Sequence, residues 1–509
     1  VSKNTEVIIV GAGPTGLALA CQFIRYGVDF VIFDRNETTT PHSKAIGVQA
    51  RTLEIYEQID LADKLIAEGA IAAKARMITG GKVRGEAEFA EMGKGMSAYP
   101  FVLIVEQGRH EKLLYDFIKS GGKDVLWKTG LESFTQNENG VSVTVKRANG
   151  EIETIDAQFL VGCDGAKSPV RHSLGLTFEG STFARMFYVA DVEIDWNFSH
   201  DAGQAFLLKN NLLAFFPMKG EKQWRIVGTF PEEFAKDEGD VLYEEIEEQI
   251  KQDAALELDI TRVNWFSTYK VHTRHVEKFS LGRCFLAGDS AHIHTPAGAQ
   301  GMNTGIQDGY NLAWKMAMVL SGEAGEKLLE TYNEERLPNA QNLLETTDRF
   351  FNLAASPDWI FRVLRMYVFP YVASIAFRLN AVKKFIFPRV SQIGINYRHS
   401  SLSKNQGNFK IKAGDRMPYF EIDGASIYDR LREPKFHFLT FYENENRAKF
   451  DEIVLPDLVD FHAFFLTPIL AEIFGADKTF SILLRPDNYI GIIFPGAAVE
   501  PAMNYLEKI

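Results

Sequence analysis

Residues 282–320 read GRCFLAGDSAHIHTPAGAQGMNTGIQDGYNLAWKMAMVL. The apolar run Cys284, Phe285, Leu286, Ala287 is strand-like and ends in Gly288 and Asp289. A Pro/Gly loop follows, after which Ile306, Tyr310, Ala313, Ala317 and Leu320 recur at helical spacing. This order predicts Asp289 at the carboxyl end of a strand. It also places the amides of Gly301, Met302 and Asn303 at a helix N-terminus carrying about half a positive charge. Such a terminus suits a ligand that becomes an anion. An ordinary strand-to-helix crossover would also explain the glycines as turn residues, so the rest of the chain decides.

Working outward, residues 6–10 form a short apolar strand followed at once by GAGPTG, residues 11–16, and a helical pattern running to Tyr26. A second apolar strand, residues 30–33, ends at Asp34 with Arg35 beside it. This is the βαβ dinucleotide fingerprint. Gly11 makes the tight turn, Gly13 lets the backbone approach a pyrophosphate, Gly16 lets helix and strand pack closely, and Asp34 accepts ribose hydroxyls. An ADP-ribose clamp of this kind does not distinguish FAD from NAD. Lys44, Arg51, Gln107 and Arg109 put polar and cationic groups near the starts of later elements, where plain surface polarity explains them as well. In residues 159–176, FLVGCDGAKSPVRHSLGL, another apolar strand ends in Asp164, with Lys167 and Arg171 within two helical turns. An acid beside two cations at a strand end can bridge phosphates and riboses; a capped turn with an ion pair is the alternative.

The chain length of 509 residues exceeds one typical core and predicts two or three domains. We read an α/β protein. A Rossmann-type dinucleotide domain, discontinuous over 1–180 and 270–345, carries an inserted antiparallel-sheet substrate domain over 181–269, with a helical connection over 346–406 and a small α/β domain over 407–509. In the strand-rich insert, Phe206, Phe215, Pro217 and Arg225 are the candidate pocket residues. Residues 359–387 are aromatic-rich but interrupted by charges and Pro370, and contain no apolar run of about 18 residues. They read as a buried or interdomain helix pair broken at Pro370, with an interfacial anchor as the alternative.

The net charge of −12 argues against nucleic acid and anionic membranes, leaving room for local basic patches. Three separated cysteines, Cys21, Cys163 and Cys284, have neither metal nor CxxC spacing and read as small buried hydrophobes. A strand beginning within six residues of the amino terminus leaves no room for a signal peptide, so a cytoplasmic protein without a transmembrane segment is expected. His292 and His294 lack a carboxylate partner in sequence, and no metal is expected.

GAGPTG with Asp34, CDGAKSPVR, and the stretch from Gly282 resemble, in the right order, the three signatures of the single-component FAD-dependent aromatic hydroxylases, the group of para-hydroxybenzoate, phenol and polyketide hydroxylases. The resemblance extends from Glu6 to about Pro338. AGDRMP and RPDNYIG make the tail resemble the thioredoxin-like domain of the phenol and polyketide hydroxylase branch, here without any cysteine for disulfide exchange, leaving packing or assembly as its role. The resemblance implies noncovalent FAD held by Gly11, Gly13, Gly16, Asp34 and Arg35. Lys44, Gln107 and Arg109 would lie near phosphate or ribityl groups, Asp164 would serve both FAD and nicotinamide, and Asp289 would bind the ribityl and pyrophosphate region. Pro296 would flank the isoalloxazine, with the amides of Gly301, Met302 and Asn303 facing flavin N1 and O2. Many relatives carry arginine where Lys44 stands, which leaves NADPH against NADH undecided.

The implied reaction is NAD(P)H- and O2-dependent hydroxylation of an aromatic, phenolic or polycyclic, small molecule through a flavin C4a-hydroperoxide. No side chain is assigned as a catalytic residue because the flavin carries the chemistry; a homodimer is left open. Flavin-dependent halogenase would need a WxWxIP segment, where this chain offers QWRIVG. A flavoprotein that binds or sequesters an aromatic ligand without turnover is the alternative of a different class.

Overall fold

The computed structural model describes residues 3–41, 45–208, 211–230, 241–256, 258–295, 300–355, 363–364, 368–376, 379–443 and 453–509. Four short strands are apolar at every position except the closing glycine of one, and this determines their place. Val7–Val10, Phe30–Phe33, Phe159–Gly162 and Cys284–Leu286 are buried on both faces, as parallel strands covered by helices must be. They pair in parallel in the spatial order 284–286, 159–162, 7–10, 30–33, with short edge strands Ser280–Leu281 and Val125–Leu126 completing a six-stranded sheet. Helix Pro14–Tyr26 packs between Gln107–Ser120 and Gly301–Leu320. The glycine turn permits this: Gly11 has φ 102°, and a Cβ on it would meet the Cys163 carbonyl, while a Cβ on Gly16 would run into the Gly11 carbonyl.

An eight-stranded sheet adjoins the carboxyl side of this layer through its strand His292–Ile293. Its spine is two antiparallel strands of 17 residues, Glu179–Asp195 and Asp259–His275, continued by Gln223–Thr229, Leu212–Pro217 and Ala202–Leu207. The sheet is not confined to the strand-rich insert. Lys74–Thr79 pairs in parallel with Ala202–Leu207, and Lys82–Glu88 forms the outer edge. Those two strands are rich in charge and half exposed, so the sequence carries no apolar alternation to announce them.

Alternation along the sheet assigns its faces. Tyr188, Ala190, Phe206, Leu213, Phe215, Trp224 and Ile226 point one way and pack under helix Glu244–Ala254, whose Ile246 and Ile250 recur at four-residue spacing. Phe187, Val189, Leu212, Val227 and Tyr269 point the other way, on the same face as Phe216 and Arg225 by register. Phe216 joins the apolar cluster of Ile46, Ala72, Ile104 and Met218, so this second face meets the small three-stranded sheet of Gly47–Val48, Val102–Ile104 and Ala70–Ala72.

The C-terminal segment forms a five-stranded sheet in the order Lys404–Asn405, Ile490–Pro495, Phe480–Leu484, Phe436–Tyr442, Val459–Phe465. The expected pairing of 480–484 with 490–494 is present and antiparallel. Residues 485–489 between them are gripped by the rest of the molecule. Arg485 binds Glu335, Trp314 Nε1 donates to Asp487, and Arg51 donates to the Asp487 carbonyl.

The stretch expected to be a buried helix pair is a helix Phe369–Ala376 with Pro370 in its first turn and a helix Asn380–Val390. Pro370 is the second residue of the first of these, and residues 365–367 before it lie outside the described residues. The described part is exposed over much of its length.

Candidate functional site

Three turns lie side by side where the parallel strands end. They are the glycine loop after Val7–Val10, residues 163–168 after Phe159–Gly162, and Gly288–Ser290 after Cys284–Leu286. In an open parallel sheet this edge is where ligands bind. Asp34 ties the first turn to the neighbouring strand: one carboxylate oxygen accepts the Ala12 amide at 2.7 Å and the other the Asn36 amide at 2.8 Å. Arg35 points to solvent. Asp164 accepts the Val170 amide at 3.0 Å through one oxygen, while the other is buried with no protein partner. Burial pushes its carboxyl up, against the lowering bonds from Ser168 and Val170. Arg171 is turned back into the protein, donating to the Ser290 and Ala166 carbonyls and lying 4.0 Å over the Phe178 ring.

Asp289 is open to solvent at the strand end. Beneath it lies a fully buried network that motif reading missed. Asp308 Oδ2 accepts the Gly288 amide at 2.9 Å and His292 Nε2–H at 2.7 Å, and its Oδ1 accepts Arg336 Nε at 2.7 Å. Arg336 also donates to the Thr304 carbonyl and the Tyr397 hydroxyl. Burial alone would raise Asp308, but Arg336 and His292 outweigh it and hold the carboxyl low. His292 therefore belongs to a positioning network; among the described residues no cluster of three His, Cys, Asp or Glu could hold a metal.

The helix predicted after the loop begins at Gly301. Its Asn303 side chain turns away from the sheet edge: Oδ1 accepts the Gln49 amide at 2.9 Å and the Thr52 hydroxyl at 2.8 Å, and Nδ2 donates to the Gly47 carbonyl at 2.8 Å. Asn303 so fixes the start of helix Ala50–Glu57, and Met302 is half-buried beside it. His294 lies against Gly301, donating Nδ1–H to the Thr295 carbonyl at 2.7 Å. Burial pushes His294 down to about 4, so it is neutral at pH 7, and its Nε2 is buried without a partner, as is Thr295 Oγ1.

Gln107 opens helix Gln107–Ser120 and donates to Glu111 at 2.7 Å; Glu111 also accepts the Thr40 amide at 2.7 Å. Burial raises Glu111 to about 7, against those bonds. Arg109 is exposed and held by Glu106 at 2.5 Å and Glu68 at 3.1 Å, both surface acids, away from the turns. Lys44 and Pro296 lie outside the described residues.

The eight-stranded sheet adjoins this edge through its strand His292–Ile293, which follows the Gly288–Ser290 turn after Ala291. The apolar wall of its second face includes Phe187 stacked on Tyr269 with centroids 5.7 Å apart. Arg225, buried on this face, makes a bidentate pair with Asp191 at 2.5 and 2.6 Å, lies 5.5 Å from the Trp265 ring and points Nη1 toward the Ala45 carbonyl. Of the four candidate pocket residues, register places Arg225 on this face, with Phe187 and Tyr269. Phe206 and Phe215 go the other way: they pack on Trp196, Trp224 and the helix as core. Pro217 is buried at the end of its strand, paired with Trp224. A one-residue step along a strand flips the face, which composition alone does not resolve.

The chain matches the family described as an FAD binding domain over residues 4–347. It is 32% identical to a flavin-dependent monooxygenase of Mycobacteroides abscessus over 99% of both chains. It is 31% identical to 6-methylpretetramide 4-monooxygenase of Streptomyces rimosus, covering 88% of this chain and 81% of the relative. The solved structure of CabE, an aromatic hydroxylase from angucycline biosynthesis, superposes with a TM-score of 0.78 at 28% identity over 99% of each chain. The chain therefore belongs to the FAD-dependent aromatic hydroxylases.

Proposed function

We propose that this enzyme hydroxylates an aromatic, phenolic or polycyclic, small molecule with O2, using noncovalent FAD and electrons from NADPH or NADH. The observation that carries this reading is the pairing of two surfaces. A sheet edge with buried, partnerless polar atoms on Asp164, His294 and Thr295 is joined through strand His292–Ile293 to a sheet with an apolar face bearing Arg225. The edge fits a dinucleotide, because buried polar atoms that the protein leaves unpaired need a ligand or water to satisfy them. Bound FAD would supply the transfer of electrons from the nicotinamide donor to oxygen.

The chain's own residues have simpler tasks in this reading. Gly11, Gly13 and Gly16 let the backbone approach the pyrophosphate, Asp34 takes ribose hydroxyls, Gln107 and Asp289 meet the ribityl and phosphate groups, and the start of helix Gly301–Leu320 stabilises negative charge on the ring system. Pro296 would flank that ring, and Asp164 would serve FAD and nicotinamide alike. The exposed pairing of Arg109 with two acids favours a surface role for it. The apolar wall excludes water and takes the aromatic substrate, with Arg225 held ready by Asp191. The division into a discontinuous FAD domain, a substrate domain and a cysteine-free thioredoxin-like tail belongs to the same proposal.

The test is anaerobic stopped-flow reduction. NAD(P)H should reduce the enzyme's flavin slowly alone and at least about tenfold faster with a phenolic ligand, a barrier difference of about 1.4 kcal/mol. Ligand binding without any NAD(P)H oxidation would overturn turnover in favour of sequestration. For the cofactor site, Asp289→Ala should weaken flavin binding by roughly ten- to a hundredfold, about 1.5–3 kcal/mol for a lost charge-assisted bond. Fluorescence titration of the apoprotein reads this, and unchanged affinity would remove Asp289 from the site.

A further inference from the structure

Residues 359–414 contain ten Lys and Arg and not one Asp or Glu, in a chain whose net charge is −12. Lys383 and Arg398 are paired by Glu91 and Asp415 of neighbouring segments, and among the described residues of the stretch Lys384 and Arg389 are the exposed cations near helix Phe369–Ala376. In the same stretch an apolar face is turned outward. Tyr371, Val372 and Ile375 recur at three- and four-residue spacing along helix Phe369–Ala376, which places them on one side, and Val368, Phe369, Leu379 and Phe385 extend the surface. These side chains are between 42% and 67% exposed. Lys384 and Arg389 stand exposed among them, Arg389 lying 3.7 Å over the Phe385 ring. On the neighbouring elements Glu86 is engaged by Arg76 and Lys74 and Glu91 by Lys383, while Glu88 is exposed at the end of strand Lys82–Glu88.

We propose that this surface docks on an anionic lipid bilayer, with helix Phe369–Ala376 lying in the headgroup plane. An aromatic-rich apolar face bordered by Lys and Arg is the chemistry that binds there, apolar burial giving depth and the cations giving attraction to the anionic lipid. The net charge does not oppose this, because screening leaves charges beyond about 10 Å with little effect and the local field governs. A second copy of the chain fits less well. A two-fold contact sets the same patch against itself, here the exposed Lys384 and Arg389 against their own copies. No described helix is long and apolar enough to cross the bilayer, so the contact is with one surface.

The surface adjoins the candidate site. Helix Phe369–Ala376 packs on Lys82–Glu88, the edge strand of the eight-stranded sheet, and the Arg389 carbonyl accepts from Gln300, the residue before helix Gly301–Leu320. Docking itself requires nothing of the reaction; under the proposed function it sets that site beside the phase in which an apolar aromatic dissolves.

Co-sedimentation of the full-length, FAD-loaded protein with phosphatidylcholine vesicles, with and without phosphatidylglycerol, tests the proposal. Binding should be at least about tenfold stronger with phosphatidylglycerol and should fall steeply between about 50 and 500 mM salt. The double variant Val372→Glu, Ile375→Glu should lose binding with FAD content and flavin spectrum unchanged, and Lys384→Glu should weaken it on anionic vesicles only. Failure of the wild type to sediment, or equal sedimentation of wild type and variants, would overturn the proposal. So would concentration-dependent dimerisation that the double variant abolishes without vesicle binding, which would assign the face to a second copy.

Discussion

Glu335→Gln should lower the stability of the protein by about 3–5 kcal/mol, the usual cost of leaving a buried charge without its partner. Glu335 lies on helix Lys327–Ala355 and is fully buried. One carboxylate oxygen accepts Arg485 at 2.6 Å and the Ser400 hydroxyl at 2.8 Å. The other accepts Arg485 at 3.0 Å, Lys315 at 2.8 Å and Asn311 at 2.7 Å. With Asp487, which binds Arg485 at 2.5 Å, the cluster balances two cations against two anions. Glutamine keeps the shape but leaves Lys315 and Arg485 facing one carboxylate. Burial alone would raise the Glu335 carboxyl, yet Arg485 and Lys315 outweigh it and hold it far below its ordinary 4.5. The folded value being the depressed one, this stabilisation is full above about pH 4.5 and is lost as pH falls toward the folded value. Urea unfolding followed by tryptophan fluorescence is the measurement, since Trp314 donates to Asp487 at the same junction. A loss under about 1 kcal/mol at pH 7 would show that the cluster relaxes or admits water.

This cluster also marks what sequence reading reaches. The four parallel strands and their turns were legible because each is a local pattern: an unbroken apolar run, then Gly or Asp at its end. The start of the helix at Gly301 was legible for the same reason. Partners far apart in the chain leave no such trace. Glu335 meets Arg485 across 150 positions, and Asn303 meets Gln49 across 254. Their polar side chains look like solvated helix residues until the fold brings them together. His292 and His294 looked alike in sequence, yet one is held by Asp308 and the other keeps a bare ring nitrogen. The faces of the large sheet were not legible, because Phe215 and Phe216 are both apolar and only pairing register decides which one packs under helix Glu244–Ala254 and which one meets Ile46 and Ile104.

The second large effect is expected at Asp308, where stability meets the cofactor site of the proposed function. Asp308→Asn substitutes an amide at a point where three donors converge: the Gly288 amide, His292 Nε2–H and Arg336 Nε–H. A carboxylate accepts all three, whereas an asparagine must turn its NH2 toward one of them, setting donor against donor and leaving Arg336 buried without its anion. Every member is buried, so water cannot take over without opening the structure. The stability loss should again be about 3–5 kcal/mol. Because the Gly288 amide is released, the turn that aims Asp289 also loosens, and FAD affinity should fall at least about tenfold, about 1.4 kcal/mol. Thermal unfolding of apoprotein and FAD-loaded protein separates the two effects: a purely structural role lowers both transitions equally, whereas a positioning role also narrows the gap between them. A variant that keeps the wild-type transitions and flavin affinity would show that the Gly288 turn is held by the strand alone. Equal losses in apo and loaded protein would confine Asp308 to the core.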